Sequence, residues 1–163
     1  MSTLLELCKS LEQTPIAASV RQSLWLFPLL EILHLLGMVA VLGAIAAFDL
    51  RLLGWLMPRQ RVSELAPRIF PWVWTGFALQ VVTGGLLFSS EAAHMVLNPA
   101  FRIKMLLLLL AGANALLFQL TVFPGVAAWD QDRILPLRAR LAGAVSLMCW
   151  IGVVAAGRMI GFI

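Results

Sequence analysis

Four stretches of this 163-residue chain, covering residues 24–48, 69–88, 105–123 and 141–159, are apolar and long enough to cross a bilayer. In hydrocarbon every backbone N–H and C=O must be satisfied inside its own segment, so such spans have to be helices. The composition agrees: 61% of residues are hydrophobic and 12% are charged, about half the charged share of an ordinary soluble domain. The expected fold is therefore all-α, an integral membrane four-helix bundle with a short amphipathic N-terminal helix. Residues 1–163 form a single transmembrane domain on this reading, with too little chain left over for a second.

The first apolar run starts late and lacks a basic leader, which argues against a cleaved signal peptide. The leader "MSTLLELCKSLEQTPIAASVRQS" instead places Leu4, Leu7 or Cys8, and Leu11 at helical spacing, with charges between them. It is expected to lie on the membrane surface. Thr14 and Pro15 form a cap and first-turn pair for a second short helix. Asn98 and Pro99 start the third span in the same way, and Pro124 and Gly125 end it.

The net charge of +4 does not point to nucleic acid, because the basic residues gather at the ends of the apolar segments. Arg51, Arg59, Arg61, Arg68, Arg133, Arg138 and Arg140 flank the first and third connections, against Lys9, Arg21, Arg102, Lys104 and Arg158 on the other side. Seven against five places both connections in the cytoplasm and both termini in the periplasm. Cys8 and Cys149 occupy separate settings, and no Cys-x-x-Cys or Cys-x-x-Cys-His motif is present. A disulfide, a c-type haem attachment and an ordinary zinc or iron–sulfur site are not expected.

Ionisable groups inside apolar spans are costly and mark candidate functional sites. "FPLLEILHLLG", residues 27–37, carries Glu31 and His34 three residues apart, hence on one helical face. Neutral imidazole is the commonest metal ligand, and haem b needs an axial base. His34 is thus either a hydrogen-bonded packing residue or a ligand. Glu31 is expected to pair with Lys104 or Arg158 near the periplasmic ends of the third and fourth spans. The same basic residues could hold haem propionates or a quinone head group. A stripe of Gly76, Gln80, Thr83, Gly84, Leu87, Glu91 and His94 follows the second span, and small and polar residues in such a stripe indicate close helix packing and interhelical hydrogen bonds. Gln80, Asn114, Ser146 and Cys149 suggest a buried polar layer.

Glu91 and His94 repeat the Glu-x-x-His spacing. Di-iron bundles need a further carboxylate from each of the other two helices, and the third and fourth spans offer none. His94 lies beyond the end of the second span, roughly 15 Å or more from the level of His34, so one haem held by both histidines of a chain is disfavoured.

Four stretches, "WLFPLLEILHLLG" at 25–37, "DLRLLG" at 49–54, "NPAFRIKM" at 98–105 and "GRMIGF" at 157–162, occur in this order. Together they resemble a family of small, functionally uncharacterised four-helix bacterial inner-membrane proteins, over nearly the whole chain. More distantly, the chain is similar to the membrane domains of copper-resistance D proteins and of b-type cytochromes. The resemblance implies a bacterial cytoplasmic-membrane location and no assigned reaction; the matching positions are Glu31, His34, Asp49, Arg51, Lys104 and Arg158. A di-haem cytochrome pattern would need four histidines, and the chain has two.

No nucleophile–base–acid set, phosphate loop or open zinc site is visible, so a self-contained enzyme is not expected. Two functions remain. In the first, the chain is a membrane redox module: His34 ligates haem b or copper, with a second ligand from Met38, Met148, Cys149 or another chain, and Glu31, Lys104 and Arg158 surround the cofactor. In the second it is a non-catalytic structural or accessory subunit of a larger membrane complex. The partners are the lipid bilayer and either a second copy or that complex.

Overall fold

The computed structural model describes residues 2–130 and 134–163, so the expectation concerning Arg133 lies outside the described residues. Two leader helices, α1 (Ser2–Glu12) and α2 (Pro15–Gln22), precede α3 (Leu26–Leu52) and α4 (Val62–Ser90). A short α5 (Ala92–Leu97) leads into α6 (Pro99–Leu117), which continues through a π-helical turn, Phe118–Val122, and a 3-10 turn, Phe123–Gly125, into α7 (Val126–Trp129). The chain closes with α8 (Leu137–Met159), and there is no strand among the described residues. Four helical runs are long and apolar enough to cross a membrane: Leu26–Leu52, Val62–Ser90, Pro99–Trp129 and Leu137–Met159. The protein is an all-helical membrane bundle. Trp25 and Trp55 flank α3 and are exposed, as the aromatic residues of a membrane interface are.

Local chemistry explains most of the ends. The Thr14 hydroxyl accepts from the N–H of Ala17 at 3.4 Å, with Pro15 in the first turn of α2. Asn98 Oδ1 accepts from the N–H groups of Ala100 and Phe101 at 2.9 and 3.3 Å, and Pro99 opens α6. Gly54 takes φ +80, the left-handed conformation that lets the chain leave α3.

Two boundaries differ from the sequence expectation. The second span begins at Val62 rather than 69, with Pro67 and Pro71 inside the helix. Val62, Leu65 and Ala66 are buried in the main hydrophobic cluster, and that burial outweighs the missing proline hydrogen bonds. The third span does not stop at Pro124. The π-helical turn reshapes the helix ahead of that residue, and Pro124 then sits in the first turn of the 3-10 segment, where no N–H donor is required.

Packing follows a chain of neighbours: α4 on α3, α3 on α8, α8 on α6. Among the described residues α4 and α6 share no extended contact. Aromatic pairs join α4 to the third span at both extremes, Phe88 with Phe101 at 5.4 Å and Phe70 with Phe123 at 6.1 Å between ring centres. The end carrying the 53–61 and 130–136 connections, the loop end, holds the main cluster of Phe48, Leu52, Val62, Leu65, Phe118, Leu135 and Ala139. Phe48 sits at its centre, 5.3 Å from Phe70 and 5.9 Å from Phe118. The opposite end, the leader end, is capped by α1 and α2. There Glu12 Oε1 accepts from the N–H of Ala93 at 2.8 Å, and Arg21 Nη1 donates to the carbonyl of Ser90 at 3.2 Å.

The closest approach of α3 and α4 is at Gly76, where an added Cβ would stand 2.6 Å from Val41 Cγ2. Gly76→Ala should therefore lower the thermal midpoint in detergent, with a stability loss of about 1–3 kcal/mol. Gly43→Ala, where nothing lies within 4 Å of the new Cβ, should leave the midpoint unchanged or raise it. Val41→Ala added to Gly76→Ala should recover part of the loss.

Candidate functional site

His34 belongs to the inward stripe of α3. Leu30, Gly37, Val41, Phe48 and Leu52 share that stripe at helical steps of three, four and seven, and all five are buried. His34 itself is only half-buried. On α6, Lys104 occupies the equivalent stripe with Ala100, Ala111 and Phe118; those three are buried and Lys104 is half-buried. An imidazole of α3 and an ammonium of α6 thus lie on inward stripes in the leader-end half of the bundle.

The surroundings of the ring fix its chemistry. Thr83 Oγ1 donates its proton to the carbonyl of Leu79 at 2.7 Å and lies 2.9 Å from His34 Nδ1. With the hydroxyl proton directed to the Leu79 carbonyl, the oxygen can accept from Nδ1, an arrangement that puts the ring proton on Nδ1 and leaves Nε2 a lone pair. Nε2 makes no hydrogen bond among the described residues. The ring stands over Gly84, whose Cβ, if present, would be 3.0 Å from Cε1. Gln80 Nε2 donates to the backbone carbonyl of His34, completing a clasp between α4 and α3. The Gly76, Gln80, Thr83 and Gly84 stripe therefore does what small and polar residues in a span are expected to do. A second clasp joins the other pair: Asn114 Nδ2 donates to the carbonyl of Ala142 at 2.9 Å.

Helix register places the remaining expected residues. Gly143 of α8 lies against Asp49 of α3, its Cβ position 3.0 Å from the Asp49 carbonyl oxygen. Equal rises from that contact bring Gly157 level with Leu35, and the Lys104 ammonium lies 3.8 Å from the Cβ position of Gly157. Lys104 and His34 thus share a level. Met38 is one turn further along α3 and half-buried. The same count sets Cys149 level with Gly43, about 13 Å below His34. Cys149 is buried, while Met148 is 63% exposed on the outer face of α8. The register does not bring Met148 or Cys149 together with His34.

The expected pairing of Glu31 is not observed. Glu31 is exposed, and the one ion pair within 4.0 Å among the described residues is Arg61 with Glu64. Equal rises bring Met159, the last residue of α8, level with Leu33, so Glu31 projects beyond the end of its supposed partner helix. Arg158 is exposed too, its guanidinium 4.9 Å above the ring of Phe162.

Two further polar groupings are buried; the sequence marks Asp49 and Arg51 as positions of the family resemblance, and Asp130 not at all. Asp49 is 4% exposed, and its Oδ2 has no hydrogen-bond partner among the described residues. At the loop end Arg51, 3% exposed, donates from Nε to the carbonyl of Gln60 at 2.6 Å. Asp130 is 4% exposed and accepts from the Ser63 hydroxyl. Asp49 shares a face of α3 with Phe48 and Leu52, which is the signal that could have marked it as buried. For Asp130 no local signal exists.

Residues 26–163 match the family of unknown function DUF6644, and the chain belongs to that family. The leader helices lie outside the matched region. Neither a curated protein nor a solved structure matches the chain.

Thr83→Val keeps the shape of the side chain and removes the oxygen that faces His34 Nδ1. The expected loss is about 1 kcal/mol, typical of an interhelical hydrogen bond in a membrane protein. Nitrogen NMR of the His34 ring should report the Nδ1-protonated form in the unaltered protein and a mixture in the variant. The same mixture in both proteins would show that Thr83 does not set the tautomer.

Proposed function

We propose that the protein is a membrane-embedded redox module that binds haem b, with His34 as the axial ligand through Nε2. The feature that supports this reading is the Thr83 oxygen 2.9 Å from Nδ1, which can hold the ring proton there and leave the Nε2 lone pair free for a metal. Metal-ligating histidines commonly donate their second ring nitrogen to a fixed acceptor, which orients the ring and raises its basicity. Lys104 supports the assignment, because an ammonium at the level of His34 with no carboxylate within 4.0 Å suits a haem propionate. Copper is the weaker fit, since the thiol of Cys149 lies at another level and Met148 faces outward, leaving Met38 as the one soft donor one turn from His34.

Within the chain the haem has one imidazole. His94 is exposed at the leader end, where it lines a surface groove with Glu12, Arg21, Ser90 and Glu91. The second axial position falls to another copy of the chain or to an external ligand. The basic residues around the 53–61 and 130–136 connections favour the cytoplasm for the loop end, in a bacterial inner membrane, with the leader end and both termini in the periplasm.

A second reading, a structural or accessory subunit, is favoured by the clasps Gln80 to His34 and Asn114 to Ala142, which use membrane-embedded polar groups for helix packing alone.

Absorption spectra of the purified full-length protein supplied with haemin separate the two. The redox reading expects a haem spectrum that changes on reduction, lost in His34→Ala and retained in His94→Ala and Cys149→Ser. Retention of the haem by His34→Ala, or no specific haem uptake by the unaltered protein, removes the redox reading and leaves the accessory one.

A further inference from the structure

Two grooves border the leader helices. One, about 390 Å³, is lined by the polar residues Glu12, Arg21, Ser90, Glu91 and His94. The other, about 350 Å³, is mainly apolar and includes Ile16, Val20, Leu26, Leu30 and Leu86. They adjoin along α2 and the last turns of α4, because Val20 precedes Arg21 and Leu86 lies one turn before Ser90. A polar groove therefore opens at the end of an apolar one.

The charges in the polar groove are not equivalent. Glu12 already accepts from the N–H of Ala93 at 2.8 Å. Arg21 uses Nη1 for the carbonyls of Ser90 and Glu12, at 3.2 and 3.4 Å, and its remaining donors face the groove. Glu91 is exposed, and its carboxylate makes no hydrogen bond or ion pair among the described residues. The groove thus holds one guanidinium and two carboxylates, of which Glu91 has no partner among the described residues, so a ligand meeting Arg21 with an anion must also bring a cation to Glu91. The setting is interfacial: Leu4, Leu7, Ile16, Leu24 and Trp25 are exposed on and around the leader helices. An amphipathic segment with such a face lies at the boundary of head groups and acyl chains.

We propose that the two grooves together bind one zwitterionic phospholipid with a primary-amine head group, a phosphatidylethanolamine. Its phosphate meets Arg21 and His94, its ammonium meets Glu91, and one acyl chain follows the apolar groove along α2. A phosphatidylglycerol would leave Glu91 without a cation, and the methylated ammonium of a phosphatidylcholine has no N–H to donate to it. The proposal is independent of the haem reading, since neither groove includes His34 or Lys104.

The test places the full-length protein in nanodiscs of equal phosphatidylethanolamine, phosphatidylglycerol and phosphatidylcholine, transfers it to mild detergent and identifies retained lipid by native mass spectrometry. The expected result is preferential retention of phosphatidylethanolamine. Glu91→Gln should reduce its advantage over phosphatidylcholine about tenfold, the loss of one charge-assisted hydrogen bond. Ser19→Trp, at an exposed residue beside the apolar groove whose hydroxyl donates to the carbonyl of Pro15, should lower retention of all three lipids without shifting the thermal midpoint. Equal retention of the three lipids, an unchanged preference in Glu91→Gln, or displacement of the lipid by inorganic phosphate alone would overturn the proposal.

Discussion

The approach of α4 to α3 at Gly76 governs the geometry of everything polar in the leader-end half. Val41 occupies the space that a side chain at position 76 would need. With the helices this close, Gln80 reaches the carbonyl of His34 and Thr83 reaches its ring. Lipid gives little hydrophobic drive for helices to associate, so such contacts hold the pair through dispersion and hydrogen bonding. An added methyl group at position 76 would act at a distance, because separating the helices at Val41 also lengthens the contact that sets the His34 tautomer.

The bundle is unevenly filled. Four phenylalanines, Phe48, Phe70, Phe118 and Phe123, and their aliphatic neighbours pack its loop end, where the α4 and third-span backbones also come together. Toward the leader end α4 and α6 diverge until Phe88 and Phe101 close the gap. His34 and Lys104 are half-buried on stripes whose other members are buried, and each lies beside a glycine of a neighbouring helix, Gly84 and Gly157.

The spans and their caps were legible because they depend on neighbours in sequence. Hydropathy marks residues that must meet lipid, and Thr14–Pro15 and Asn98–Pro99 satisfy or dispense with first-turn donors whatever the rest of the chain does. The extension of α4 back to Val62 was not legible, since Pro67 and Pro71 locally argue for a loop and the burial of Leu65 and Ala66 is decided by residues as distant as Leu135 and Ala139. The same holds for the site. His34 stands out as an ionisable residue in an apolar run, and the acceptor role of Thr83 follows from the stripe on the second span. Nothing in the sequence reports that Cys149 lies well below His34, because that separation is set by the register of α8 on α3.

The two Glu-x-x-His pairs show most clearly what spacing alone determines. Each puts a carboxylate and an imidazole on one helical face, yet the four side chains meet different surroundings. His34 falls where α4 still runs alongside α3 and is held by Thr83, whereas Glu31, one turn away, has passed the level at which α8 ends. Glu91 and His94 straddle the break between α4 and α5 and are exposed under the leader helices, beside Arg21. Local periodicity thus assigns a residue to a face, but the lengths of neighbouring helices decide whether that face is covered. In this chain α8 ends near the level of Leu33, whereas α4 runs on beside α3 to Ser90. His34 keeps one ring nitrogen against Thr83, while the carboxylates of both motifs are exposed, that of Glu91 beside Arg21 in the groove under the leader helices.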